Sequence, residues 1–333
     1  MKQIVRKEEG LILTCMLPEG RMESRAADSR PGLIYFHGAQ NAQGGLRLPE
    51  ELLEAANTAC VCISGEDWNR DLTPWPAERV FQRGEDFGGK ADDYLALLTE
   101  KIIPHTEEAL SLQPRFRALA GVSLAGLFSV YAAYRTDLFD RIASISGSLW
   151  YDGFLAFMRA HRPSGRLKRV YFSLGDRERK TGNCRMARVE DCTRDAVKLL
   201  RGELCDAVGE RVFFEYNPGN HFADPEGRME KAFRWLLREE WPAAGPEVSR
   251  KGCGAYEGKQ EGTEYRSIRG YHGLDPAGWD AAGCGGRDEE AHAILPGFRS
   301  AGGRCFLRRR SGACRFPETV REDAGGGDRL PFL

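Results

Sequence analysis

Up to about residue 242 the chain alternates short, continuously apolar runs with longer segments of helical period; beyond that point both patterns fade. The apolar runs are GLIYFHG (32–38), ACVCISG (59–65), RFRALAGVS (115–123), RIASISG (141–147), KRVYFSLG (168–175) and RVFFEYN (211–217). Runs this short and this apolar read as buried strands. Between them, LPEELLEAANT (48–58), LAGLFSVYAAY (124–134), RMARVEDCTRDAVKLLRGEL (185–204) and EGRMEKAFRWLLREEW (226–241) read as helices. ADDYLALLTEKIIPHTEEAL (91–110) has the same helical spacing, and Pro104 is expected to bend or divide it. Strands apolar throughout and separated by helices imply an α/β fold, with a doubly wound, mostly parallel sheet covered on both faces. Ligand sites in such sheets lie at the carboxyl ends of the strands.

Composition divides the chain at the same place. Residues 1–243 carry the α/β pattern and are expected to form the catalytic domain. Residues 244–333 hold 18 of the 39 glycines, and their apolar residues follow neither period. Such a segment buries little, and a disordered or aberrant tail is expected there. The formal net charge of −1 supplies no field favouring nucleic acid or an anionic membrane. No apolar run approaches a membrane span, and MKQIVRKEEG has no apolar signal core, so a cytoplasmic protein is expected. The cysteines form no CxxC pair and the histidines no HxxxH spacing, so neither a metal nor another cofactor is expected.

The chemistry starts at LAGVSLAGLF (119–128). Gly121, Ala125 and Gly126 surround Ser123 with the small residues that a tight strand-to-helix turn requires. The pattern is G-x-S-x-A, a nucleophile elbow with alanine in its last place; the plainer alternative is a serine capping a helix. A serine hydroxyl needs a base. His221, in NPGNHFADPEGR after the last strand, satisfies the chain order serine, acid, histidine, whereas His37 precedes the serine. The acid should follow KRVYFSLG, where Asp176 and Glu178 are both available. Fold-level analogy with α/β hydrolases favours Glu178, three positions after Gly175; Asp176 is better suited to fixing the turn. The oxyanion donors are expected to be the backbone N–H groups of Leu124 and Ala39.

Four stretches carry a family resemblance: WNRDLTPWPAERVF (68–81) with EDFGGKADDYLALLTEKIIP (85–104), GVSLAGLFSVYAAYRTDLFDRIASISGSLWYDGF (121–154), VYFSLGDRE (170–178) and NPGNHFADPEGRMEKAFRWLL (217–237). With these the chain resembles the esterase family of α/β hydrolases, and within it the ferric enterobactin esterase and siderophore trilactone hydrolase branch. The resemblance implies hydrolysis by Ser123 and His221, with an acid partner that some members do without. HGAQ (37–40) departs from the Asp-Gly usual in the trilactone enzymes.

The expected activity is that of a serine carboxylic-ester hydrolase on a small-molecule, siderophore-like or other acyl ester. An acyltransferase on the same residues and a binding protein with a decayed site are the alternatives. The connection from Glu66 to Gly89 is long enough to be functional and should overhang the site. Trp68, Asn69, Arg70 and Trp75 in it, with Trp150, are the candidate substrate contacts; a compact loop anchored by its own aromatics is the competing reading.

Overall fold

The computed structural model describes residues 1–19, 30–38, 47–205 and 211–238. The expected boundary near residue 243, the glycine-rich segment after it and Ala39 lie outside the described residues. The sheet begins with a hairpin, β1 (Lys2–Glu8) and β2 (Leu11–Leu17), paired antiparallel. Glu9 and Gly10 join them with φ of 50° and 83°, the left-handed pair that a two-residue hairpin turn needs. The strands β3 (Gly32–His37), β4 (Thr58–Ser64), β5 (Arg117–Val122), β6 (Arg141–Ile145), β7 (Arg169–Gly175) and β8 (Val212–Asn217) follow. The eight lie in the order β1-β2-β4-β3-β5-β6-β7-β8. β2 meets β4 antiparallel, and every pairing from β4 to β8 is parallel. This is the mostly parallel α/β sheet that the apolar runs predicted.

Alternation along β3 shows how both faces are covered. Leu33 and Tyr35 enter one apolar cluster, with Leu119, Leu127, Phe128 and Phe154. Ile34 and Phe36 enter the other, with Ala118, Ala120, Met229 and Phe233. Helix Leu124–Ala132 is buried at all nine positions, as a helix against a central strand must be. Helix Pro225–Leu236 covers the second face, where the Phe233 ring meets Phe36 edge-on at 5.5 Å. Fully burying one such side chain contributes about 1.5–3 kcal/mol.

Three local features differ from the sequence expectation. The N-terminal hairpin was not foreseen; β1 alternates exposed and half-buried positions at the sheet edge and lacks an apolar run. Helix Phe154–Ala160 was also unforeseen, and the segment 185–204 divides at Arg188 into Cys184–Ala187 and Val189–Glu203. Pro104 does divide its helix. It falls in the first turn of Ile103–Ala109, where a missing N–H costs little, and a π-helical turn over Leu98–Ile102 joins that helix to Ala91–Leu97.

Topology selects one edge for a site. The chain leaves β3 to lay β4 on one side of it, then returns to lay β5 on the other. Order reverses between β3 and β5, and a crevice opens at the carboxyl ends of such a pair. Ser123 directly follows β5.

Candidate active site

Ser123 sits between β5 and helix Leu124–Ala132 with φ 57° and ψ −120°. A non-glycine residue held there stores roughly 1–3 kcal/mol, which the surrounding structure must hold in place. The turn is as tight as the small residues implied. A Cβ on Gly121 would lie 2.4 Å from the Ala125 carbonyl carbon and 2.6 Å from its Cβ. Alanine is therefore accommodated in the last place of the motif because glycine occupies the first. The half-buried Ser123 Oγ lies 3.3 Å from Ser148 Oγ, its N–H donates to the Ile145 carbonyl at 3.0 Å, and its carbonyl accepts from Ser148 N at 3.0 Å. Leu124 opens the helix, so its N–H has no acceptor within the helix.

The acid and the histidine come from neighbouring parallel strands. β7 ends at Gly175 and β8 at Asn217, and the segments after them interlock. A Cβ on Gly175 would lie 2.4 Å from the Gly219 carbonyl oxygen, so only glycine allows this approach. Gly219 itself bends the histidine loop with φ 99°. Asp176 Oδ1 accepts from Gly219 N at 2.8 Å and is half-exposed; it fixes the loop from outside. Glu178 turns inward. Its Oε1 accepts from Gly175 N at 2.6 Å, and its Oε2 accepts from His221 Nδ1–H at 2.9 Å. A carboxylate at Nδ1 fixes the tautomer and leaves Nε2 as the acceptor. Burial pushes the Glu178 carboxyl up, but the hydrogen bond and charge of His221, then the Gly175 N–H and Ser146, outweigh it and hold the group below its ordinary range.

A further residue joins this cluster that the sequence reading did not single out. Arg228, in the first turns of helix Pro225–Leu236, is 1% exposed. Its guanidinium pairs with Glu178 Oε1 at 3.0 Å and donates to Ser146 Oγ at 2.9 Å. A signal existed: Arg228 lies four residues before Ala232 and eight before Leu236, on the buried stripe of the helix.

The long connection is built around its own anchors. Asp67 caps the turn Trp68–Asp71 by accepting from Arg70 N at 3.0 Å, and Pro76–Ala77 pairs with Phe87–Gly88. Trp75 rests among Tyr151, Phe154 and Phe157, and its Nε1 donates to the Asp152 carbonyl at 2.9 Å. Trp150 is 6% exposed and sits against Phe87. Trp68 is half-buried against the same cluster. Asn69 Nδ2 reaches the Glu85 carbonyl at 3.4 Å. Arg70 is exposed and paired with Asp71 at 2.8 Å. Trp75 and Trp150 thus hold the connection down.

Two more buried groups lie along this edge, one at the end of β3 and one just after β4. His37 Nε2 is 2.8 Å from Tyr94 Oη, and burial pushes its imidazole down to about 3, so it stays neutral. Burial pushes the Glu66 carboxyl up to about 7; a backbone hydrogen bond opposes the rise and nearby Asp71 adds to it. Among the described residues no group of three or more His, Cys, Asp or Glu is placed to hold a metal ion, and no helix is long and apolar enough to cross a membrane.

Residues 13–220 match the profile of the family described as "Putative esterase". A curated relative, the uncharacterized protein YbbA of Bacillus subtilis, is 35% identical over 135 residues. That stretch is 40% of this chain and 51% of the relative, so the chain spans about half the length of the curated relative it matches. Among solved structures, an IroE-like serine hydrolase from Shewanella oneidensis superposes with a TM-score of 0.53 at 16% identity, covering 71% of this chain and 78% of its own. The siderophore hydrolase EstB from Aspergillus nidulans superposes with a TM-score of 0.51 at 19% identity, covering 72% and 96%. At these identities the likeness is one of fold.

Proposed function

The chain belongs to this esterase family, and from that premise we propose that it cleaves a carboxylic ester through an acyl-enzyme on Ser123. His221 Nε2 takes the proton from Ser123 Oγ as the oxygen attacks the ester carbonyl. The oxyanion that forms is held by the Leu124 N–H and by a second N–H after β3, for which Ala39 is the proposed donor. The intermediate collapses with the carbonyl–alkoxy bond broken, and His221 returns its proton to the leaving alcohol. Water, deprotonated by His221, then attacks the acyl carbonyl; the bond to Ser123 Oγ breaks, His221 returns the proton to Oγ, and the acid is released. Glu178 keeps Nδ1 protonated and stabilises the imidazolium present during both steps. Each backbone donor is expected to contribute about 3–4 kcal/mol to the transition state.

The observation that carries this reading is the strained backbone of Ser123 at a strand-to-helix turn on the edge that bears the His221–Glu178 pair. A serine that only capped the helix would need no positive φ and no glycine at 121. As substrate we propose a small acyl ester of the siderophore-like kind, the class for which the siderophore hydrolase EstB is named. Burst kinetics on a p-nitrophenyl ester test the mechanism. The burst should match the enzyme concentration, and Ser123→Ala should lose roughly 10⁴-fold or more in kcat. A Ser123→Ala protein that keeps more than about a hundredth of the rate contradicts it.

A further inference from the structure

Arg228 is a buried cation with more partners than a helix needs from one side chain. Its Nη1 donates to Ser146 Oγ at 2.9 Å and Glu178 Oε1 at 3.0 Å, with the His221 carbonyl at 3.5 Å. Its Nη2 donates to the carbonyls of Pro218 at 3.2 Å and Asn220 at 2.7 Å. The partners span the loop after β6, the acid segment after β7 and the histidine loop after β8. Glu178 is thereby divided: one oxygen faces the guanidinium and the Gly175 N–H, the other faces the imidazole.

We propose that Arg228 is a positioning residue for the reaction, which aims Glu178 Oε2 at His221 Nδ1 and clamps the histidine loop through its carbonyls. The proposal rests on the serine-hydrolase reading above. A bidentate-capable, planar cation suits the task because one rigid group can bind a carboxylate and diverging carbonyls at once. An ammonium could neutralise Glu178 but could not span the Pro218, Asn220 and Ser146 oxygens in the same way. The other charged groups at these segments are Asp152, paired with Arg185 and Arg188; Asp176, half-exposed with its Oδ1 on the Gly219 N–H; Arg177, exposed and 3.8 Å from Asp176; Arg179, paired with Glu190 at 3.2 Å; Lys180, exposed; and Asp224, which caps Gly227 N. On the covering helix, Lys231 donates to Asn217 Oδ1 at 2.6 Å. None of these has a contact with Glu178 among those described, so Arg228 and His221 are the charges that decide its orientation.

The experiment compares Arg228→Met, Arg228→Lys and Glu178→Gln, each alone, and the double variant that joins Arg228→Met to Glu178→Gln, on an activated aryl ester. Arg228→Met should lower kcat about 100-fold with KM within about twofold, the pattern of a loss felt at the reacting groups. The acid limb of its kcat/KM profile should move about one unit to higher pH, because the carboxylate is no longer shared with a cation. Arg228→Lys should keep the limb where it is and still lose about tenfold in kcat. Combined with Glu178→Gln, Arg228→Met should cost far less than it does alone, since the larger part of its effect, the part transmitted through the carboxylate, is already lost. Additive losses, or a folded Arg228→Met protein with unchanged kcat and pH limb, overturn the proposal. If Arg228→Met does not fold, Arg228→Lys decides the matter: unchanged kcat refutes it. The ring protons of His221, followed by NMR, should show the same upward movement in Arg228→Met even if Ser123→Ala remains active. That readout separates failure of this proposal from failure of the serine assignment.

Discussion

Glu66 offers the most quantitative test of the site's electrostatics. It is 9% exposed, and neither carboxylate oxygen has a hydrogen-bond partner outside Glu66 itself among the described residues. Its carboxyl is raised from 4.5 to about 7. A raised acid holds its proton more tightly in the folded protein than in the unfolded chain. Its contribution to stability is therefore complete below the unfolded value and is lost as pH rises through the folded one. At about 1.36 kcal/mol per unit, ionising Glu66 above neutrality costs the fold about 3 kcal/mol. Glu66→Gln keeps the shape and removes the charge. Urea unfolding of both proteins should give similar stabilities near pH 4, with the variant gaining as pH rises and leading by about 3 kcal/mol at about pH 8. Taking the difference cancels other titrating groups, including His37, whose lowered imidazole makes stability fall on the acid side instead. A difference flat to within about 0.5 kcal/mol over that range would refute the argument.

Other predictions concern the proposed catalytic residues. Glu178→Gln should lower kcat more than Asp176→Asn does, with KM little changed in either, because Glu178 contacts His221 and Asp176 contacts the Gly219 N–H; steady-state kinetics giving the reverse order would reassign the acid. Ser123→Gly should be inactive yet more stable than Ser123→Ala by about 1 kcal/mol, since only glycine relieves the positive φ; equal midpoints in urea would mean the turn is unstrained. Gly121→Ala should lose both stability and activity, because its Cβ would meet the Ala125 backbone at 2.4 Å; a thermal melt and an ester assay like those of the unsubstituted protein would contradict the tight turn.

What could be read from the sequence depended on how local each constraint is. The strand β5, the serine and the small residues after it lie within ten positions, so the turn geometry was written in one stretch. The parallel strands were legible because burial on both faces makes them apolar throughout. The β1–β2 hairpin was not, because its edge strand mixes Lys2, Gln3, Arg6 and Lys7 with Ile4 and Val5. Glu178 and His221 needed chain order as well as local pattern. Arg228 looked like one charge among many in EGRMEKAFRW, and its role appears only when three loops after β6, β7 and β8 converge on it. The tryptophans illustrate a different limit. The length of the connection after β4 marked Trp75, and its neighbourhood Trp150, as candidates for a ligand; the contacts that make both of them anchors of the connection are distant in sequence and so were not legible.

The central claim is that Ser123 is an activated nucleophile. A fluorophosphonate probe reacts covalently with such a serine by displacement of fluoride and leaves other surface hydroxyls untouched. Mass spectrometry of the labelled protein should show one adduct, located by peptide mapping to Ser123 and abolished in folded His221→Ala and Ser123→Ala proteins. Well-folded protein that takes up no label at Ser123, or that labels equally without His221, would contradict the account.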